Sequence, residues 1–353
     1  MAIVSLSLLL ASAKAAYEDW GRYRGVNVGP NITEKDIQDL AATKATVVRA
    51  SFGAMPLMSK SPPYAFDETA FGQLRKIVLW CERYGLKVII DPHTAPGLRR
   101  AWTCEFEDEF WKDLQWHDRL IALWKRIATE HRSRDNVIVG LDLLNEPATP
   151  PGPKKGPTDW NHLVARLVET IRATGNKQTI IVEPTALRSE SGEYINRQRG
   201  LEYLELPEDH NIVVSPHTYQ PFAFTHQGAE GQAVGVKYPG KVGDKEWNRT
   251  ALLNSLEVIR KFQKKHRVPI LIGEFSASRF AGDDGLAYLR DLISLYEEAG
   301  WSWTYHDYRT SDEWDPEMTT PNFEKTNRDP AAPRMRLLKE AFSPLPASEK
   351  PRT

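Results

Sequence analysis

Residues 136–147 read NVIVGLDLLNEP. Val137, Ile138, Val139, Leu141, Leu143 and Leu144 make an almost unbroken apolar run, without the alternation of a strand that has one wet face. Such a run suits a strand covered on both sides, as in a parallel sheet flanked by helices. It ends in Asn145, Glu146 and Pro147. Proline cannot donate to a ladder, so the strand stops there. It stops on a carboxylate whose burial is costly unless something pairs with it or uses it.

Working outward, seven more runs have the same character: YRGVNV (23–28), ATVVRAS (45–51), LKVIID (86–91), QTIIVE (178–183), NIVVSP (211–216), VPILIGE (268–274) and WSWTYH (301–306). The segments between them carry helical periodicity. In DETAFGQLRKIVLWCERYG (67–85), Phe71, Leu74, Val78 and Cys81 share a face. Asp67 is placed to cap its start and Gly85 to end it. In DDGLAYLRDLISLYEEAG (283–300), Leu286, Leu289, Ile293 and Tyr296 repeat the pattern, and Gly300 ends it. Strand and helix in alternation predict an α/β fold, a (β/α)₈ TIM barrel, as a single catalytic domain over residues 17–342. The alternative is a doubly wound open sheet, but no glycine-rich phosphate turn follows any of the runs.

The rest of the chain is read as accessory. MAIVSLSLLLASAKAA (1–16) has a short apolar run followed by small residues that fit an A-x-A cleavage site at Ala13 or Ala15, so it reads as a secretory signal and the protein as secreted, extracellular or periplasmic. A frayed N-terminal extension is the other reading. The Pro/Gly-rich stretch 147–160 and the patternless stretch 218–245 read as loops, and 343–353 as a disordered tail. The net charge of −1 and pI near 6.8 give no electrostatic case for nucleic acid or an acidic membrane as partner. Cys81 reads as a buried thiol, and spacing alone does not give it the geometry to pair with Cys104.

In a barrel, chemistry gathers where the strands end. There the sequence places Arg49 on strand 2, His93 after strand 3, and Asn145 and Glu146 at the end of strand 4. His217 and Tyr219 follow strand 6, Glu274 ends strand 7, and Trp303 and His306 lie on strand 8. Two carboxylates at one mouth, Glu146 and Glu274, suit glycoside hydrolysis, in which one carboxyl protonates the leaving oxygen while the other attacks the anomeric carbon. A cation such as Arg49 would keep one ionised, and the field of that anion would hold the other protonated. Arg49 as a structural ion-pair partner and His93 as a loop hydrogen-bonder are the plainer readings. No H-x-x-x-H or cysteine pair points to a metal, and no cofactor is expected.

LLNEP at the end of strand 4 and GEF at the end of strand 7 resemble glycoside hydrolase family 5, which contains many cellulases. The resemblance extends to Arg49, His93, Asn145, Glu146, His217, Tyr219 and Glu274 in order and position. It implies Glu146 as general acid/base and Glu274 as nucleophile. Asn145 would meet the sugar 2-hydroxyl, and Tyr219 and Arg49 would orient Glu274. His93 and His217 would bind sugar hydroxyls or support the carboxylates.

One departure stands out. Related cellulases read much like GWSWAYW, with a tryptophan platform at the end of strand 8, where this chain has GWSWTYH and hence His306. Strand parity sets Ser302, Thr304 and His306 on one face and Trp301 and Trp303 on the other. The platform is then missing or supplied by Trp314, and Trp102 and Phe222 are further mouth-loop aromatics. YQPFAFTHQGAE (219–230) resembles the strand-6 loop of bacterial β-1,4-glucanases, which points to β-glucan polysaccharides or oligosaccharides. β-Mannanase, xyloglucanase and β-1,3-glucanase are the in-family alternatives, and a non-catalytic carbohydrate-binding barrel lies outside the family.

Overall fold

A computed structural model describes residues 20–319 and 328–343. The signal expected over residues 1–16 lies outside them, as does the expected tail beyond Ser343.

All eight apolar runs are strands: β1 (Arg24–Val28), β2 (Val47–Ser51), β3 (Lys87–Asp91), β4 (Ile138–Asp142), β5 (Ile180–Val182), β6 (Ile212–Val214), β7 (Leu271–Ile272) and β8 (Ser302–Tyr305). They form one sheet in the order β7-β8-β1-β2-β3-β4-β5-β6, with every neighbouring pair parallel. A parallel bridge between Val214 and Ile270 joins the two outer strands and brings the sheet round into a nearly closed barrel.

The longer helices that follow the strands are α1 (Glu34–Ala41), α2 (Glu68–Tyr84), α3 (Leu114–His131), α4 (Trp160–Ala173), α5 (Arg249–Ser255), α6 (Glu257–His266), α7 (Gly282–Ala299) and, after β8, α8 (Pro333–Phe342). The crossover from β5 to β6 has no α-helix, and its helical element is the short 3₁₀ turn Arg199–Tyr203. In α2 the Asp67 carboxylate accepts the amides of Thr69 and Ala70, and Gly85 leaves the helix at φ 77°. Phe71, Leu74, Val78 and Cys81 are all buried on its inner face. The capping residues and apolar face read from the sequence therefore act as expected.

Strand parity divides the barrel wall. Val48, Ile90, Val182, Val214, Ile272 and Trp303 point outward into one core shared with the helices. Val47, Ile89, Ile181, Val213 and Leu271 point inward and make a separate apolar plug. Two residues further along the strands, on the same inward face, come Arg49, Asp91, Glu183 and Ser215, all buried. The interior thus changes from apolar to charged within one pleat of the mouth.

Two loop readings are corrected. Residues 218–245 contain a helical turn at Phe222–Thr225, and Gly240–Val242 pairs with Lys245–Trp247 as an antiparallel hairpin. The stretch after β4 contributes Ala148–Thr149 to a small three-stranded sheet with Ala186–Arg188 and Tyr194–Ile195. Cys81 and Cys104 are free and buried.

Candidate active site

Arg49 is the centre of the mouth. Its guanidinium is fully buried, and every nitrogen is engaged. Nε donates to Asp142 Oδ2 at 2.8 Å, and Nη1 donates to Glu274 Oε1 at 2.8 Å and Asn27 Oδ1 at 2.9 Å. Nη2 donates to Glu183 Oε1 and Asn145 Oδ1, each at 3.0 Å, and lies 3.1 Å from Asp91 Oδ2. Arg49 is therefore both a structural ion-pair partner and a direct ligand of Glu274.

Glu274 follows Gly273 at the end of β7. A Cβ at Gly273 would stand 2.3 Å from Ser215 Oγ and 2.9 Å from His217 Nε2, so only glycine lets the imidazole lie against this strand. The second Glu274 oxygen accepts from the Tyr219 hydroxyl at 2.9 Å. Burial pushes the Glu274 carboxyl up, but His217, His306 and Arg49 outweigh it and hold the group below its ordinary value.

Glu146 lies beyond the end of β4 with φ +44°, in the left-handed region that few non-glycine residues adopt. Its Oε1 is 3.0 Å from His217 Nδ1, and its Oε2 is 3.6 Å from the Arg197 guanidinium and 3.4 Å from Thr103 Oγ1. The field of Glu274 was expected to keep Glu146 protonated. The reverse holds in the resting site: burial raises its pKa, but Arg197 and His217 more than offset this, and the carboxyl is held well below the usual range. The surrounding carboxylates act on His217 in turn: burial disfavours the imidazolium, but Glu183 and Glu274 raise its pKa well above 6.5.

Single oxygens of Glu146 and Glu274 and a ring nitrogen of His217 all lie within 4.8 Å of one another. Among the described residues no other group of three or more His, Cys, Asp or Glu side chains converges in this way.

The remaining candidates divide. His93 Nδ1 lies 2.5 Å from Asp91 Oδ2, which links it to Arg49, and burial of the ring is outweighed by Asp91, so its pKa is raised. Asn145 donates one of its two amide N–H groups to the Trp102 carbonyl at 2.9 Å. His306 points into the mouth, with Nδ1 3.7 Å from Glu274 Oε2. Trp314 is at the mouth, its ring 6.0 Å from His306 and 6.3 Å from Tyr219, but only 8% exposed, so it backs the cavity and presents little free face. Trp303 is a correction. It faces outward and is fully buried, Nε1 donates to Glu297 Oε1 at 2.9 Å, and its ring stacks on Phe342, so it cannot meet a sugar at the mouth. Trp102 and Phe222 are exposed, and Phe222 stacks on His226 at 3.7 Å, with Trp314 beyond.

Sequence reading missed Glu183, Asp91, Asp142, Arg197 and Thr103. Glu183 is the last residue of the run QTIIVE, and Asp91 is the last of LKVIID. The rule that selected Glu274 selects them equally. Asp142 shares the inward face of β4 with Gly140. Arg197 and Thr103 stand in irregular loops that carry no periodic signal.

The match to known proteins agrees with this geometry. A family model for cellulase, glycosyl hydrolase family 5, matches residues 12–312. The chain belongs to glycoside hydrolase family 5. Endoglucanase C of Acetivibrio thermocellus is 26% identical over 308 residues, covering 78% of this chain and 84% of the relative. Cellodextrinase A of Ruminococcus flavefaciens is 25% identical over 239 residues, 66% of each chain. Endoglucanase Cel5A from Thermotoga maritima has a similar structure, with a TM-score of 0.68 at 25% identity over 95% of this chain and 99% of that one. The family 5 barrel described above is thus a glycoside hydrolase.

Proposed function

We propose that this family 5 enzyme is a retaining endo-β-1,4-glucanase acting on cellulose-type or mixed-linkage β-glucan, with Glu274 as nucleophile and Glu146 as acid/base. The observation that carries the reading is the approach of Glu146 and Glu274, with oxygens inside 4.8 Å. Retaining enzymes hold their carboxyls about 5–5.5 Å apart, whereas inverting enzymes leave about 6.5–9.5 Å for a water between them. His217, His306 and Arg49 keep Glu274 deprotonated, and Arg49 and Tyr219 aim it, as a nucleophile requires. The endoglucanase relatives support a β-glucan substrate. A β-mannan reading is kept because the Thermotoga maritima Cel5A, at 25% identity, has structures with cellobiose and with mannotriose.

The test pairs a substrate panel with stereochemistry. Carboxymethylcellulose, mixed-linkage glucan, mannan, xyloglucan, laminarin and xylan are compared by viscosity loss and reducing ends. Early viscosity loss, largest on the two β-1,4-containing glucans, is expected. Proton NMR of the first product should show the β-anomer. An α-anomer first would overturn the double displacement, and mannan hydrolysed faster than either glucan would overturn the substrate.

A further inference from the structure

Glu183 has no part in a two-carboxylate scheme, yet it is 1% exposed and touches three of the scheme's components. Its Oε2 accepts the backbone N–H of Glu146 at 2.9 Å. Its Oε1 accepts from Arg49 Nη2 at 3.0 Å and lies 3.3 Å from His217 Nε2. Across the same imidazole, Nδ1 is 3.0 Å from Glu146 Oε1. Glu183, His217 and Glu146 therefore form a continuous line through one ring.

We propose that Glu183 is the positioning residue of the acid/base: it anchors the Glu146 backbone and retains, on His217, the proton that Glu146 hands to the departing sugar. This rests on the reading of Glu146 as acid/base. The anchoring follows from the backbone. Glu146 sits at φ +44°, a conformation that persists only where its surroundings hold it, and the bond to Glu183 reaches it from the neighbouring strand.

The proton argument follows from what surrounds the ring. Glu146 approaches from beyond β4, Glu183 from the end of β5 and Glu274, at 3.7 Å, from the end of β7. Arg49 of β2 shares Glu183 Oε1 with the ring, and Tyr219 and His306 share Glu274 Oε2 with it. The 3.3 Å contact of Nε2 with Glu183 is an ion pair without hydrogen-bond geometry. The anion there favours a hydrogen on Nε2, and Nδ1, 3.0 Å from Glu146 Oε1, is the nitrogen that exchanges with it.

In the first step the Nδ1 proton passes to Glu146 and on to the glycosidic oxygen. The C–O bond breaks as a Glu274 oxygen bonds to the anomeric carbon. In the second step water bonds to that carbon and Glu274 is released. The water's proton then returns through Glu146 to Nδ1. No proton is gained or lost over the cycle.

The experiment is a pH titration of the full chain with ¹⁵N-labelled histidine, read by NMR, beside the pH profile of kcat/KM on a cello-oligosaccharide. In the wild type His217 should stay cationic at pH 7. In Glu183→Gln its titration should fall by about one to three pH units, the effect of losing one close opposite charge. The alkaline limb of kcat/KM should fall with it. Glu183→Asp should restore the limb while kcat stays low, because the shorter carboxylate supplies the charge but not the reach to the Glu146 amide.

A neutral His217 at pH 7 in the wild type overturns the proposal even where Glu183→Gln does not fold. A folded Glu183→Gln with unshifted titration and limb overturns it too and makes Glu183 a strut. Full activity in Glu146→Gln would instead sink the acid/base reading, and the wild-type titration would still report separately where the proton sits.

Discussion

Glu146 and Glu274 are chemically identical side chains given different surroundings. Glu274 is gripped through both oxygens by Arg49 and Tyr219, whereas Glu146 meets the imidazole of His217. The roles can therefore be separated by substitution. Glu274→Gln removes the attacking oxygen, so activity should fall on the order of a thousand-fold or more on every substrate. Glu146→Gln removes proton donation, which a dinitrophenyl cellobioside scarcely needs, so its first step should survive. The glycosyl-enzyme then waits for a base, and azide should restore turnover to a β-azide product. Azide rescue of the Glu274 variant with none for Glu146 would reverse the assignment. At this scale the sequence disclosed much of the pair and its immediate partners through residues that end apolar runs. It did not disclose the charge balance at Glu146, because Arg197 comes from an irregular loop whose path no local pattern specifies.

Elements were legible in proportion to their periodicity. The apolar runs and the capped face of α2 could be read because burial repeats every few residues along them. The turn Phe222–Thr225 is too short to repeat anything, with no side-chain cap to mark it. The hairpin at Gly240–Trp247 did carry a signal, the Gly243-Asp244 pair between its strands, with Gly243 at φ 59°. Strand β8 makes parity testable. His306 continues the inward face and Trp303 the outward one. His306→Ala should lower kcat/KM by roughly ten-fold, equal to about 1.4 kcal/mol of transition-state binding. Trp303→Phe should leave kcat/KM per folded molecule unchanged and lower stability by about 1–3 kcal/mol, through loss of ring packing and of the bond to Glu297. Steady-state kinetics and denaturant unfolding on both variants check this. The opposite pattern would mean that the strand is one residue out of register.

For the molecule as a whole, the barrel buries an apolar plug at one end and a dense set of ionisable groups at the other, and this arrangement ties stability to pH. Asp91 is pushed up by burial but brought down to about 2 by Arg49 and His93, and Glu274 is likewise lowered. A carboxylate lowered on folding contributes stability that is full above its unfolded value, near 4, and is lost as pH falls through its folded value. For Asp91 that loss runs from about pH 4 to about 2. The imidazoles have the opposite sign. His217 and His93 are disfavoured as cations by burial but raised by Glu183 and Asp91 respectively. A histidine raised on folding contributes stability that is full below about 6.5 and is lost as pH rises through its folded value. The two trends leave a plateau. Thermal midpoints should be highest between roughly pH 4.5 and 6.5 and decline on both sides. His217→Gln removes one of the groups responsible for the alkaline decline, so its midpoint should fall less steeply above pH 7 than that of the wild type. A wild-type midpoint that rises from pH 6.5 to 9, measured by calorimetry at fixed ionic strength, would contradict the cationic state of both imidazoles.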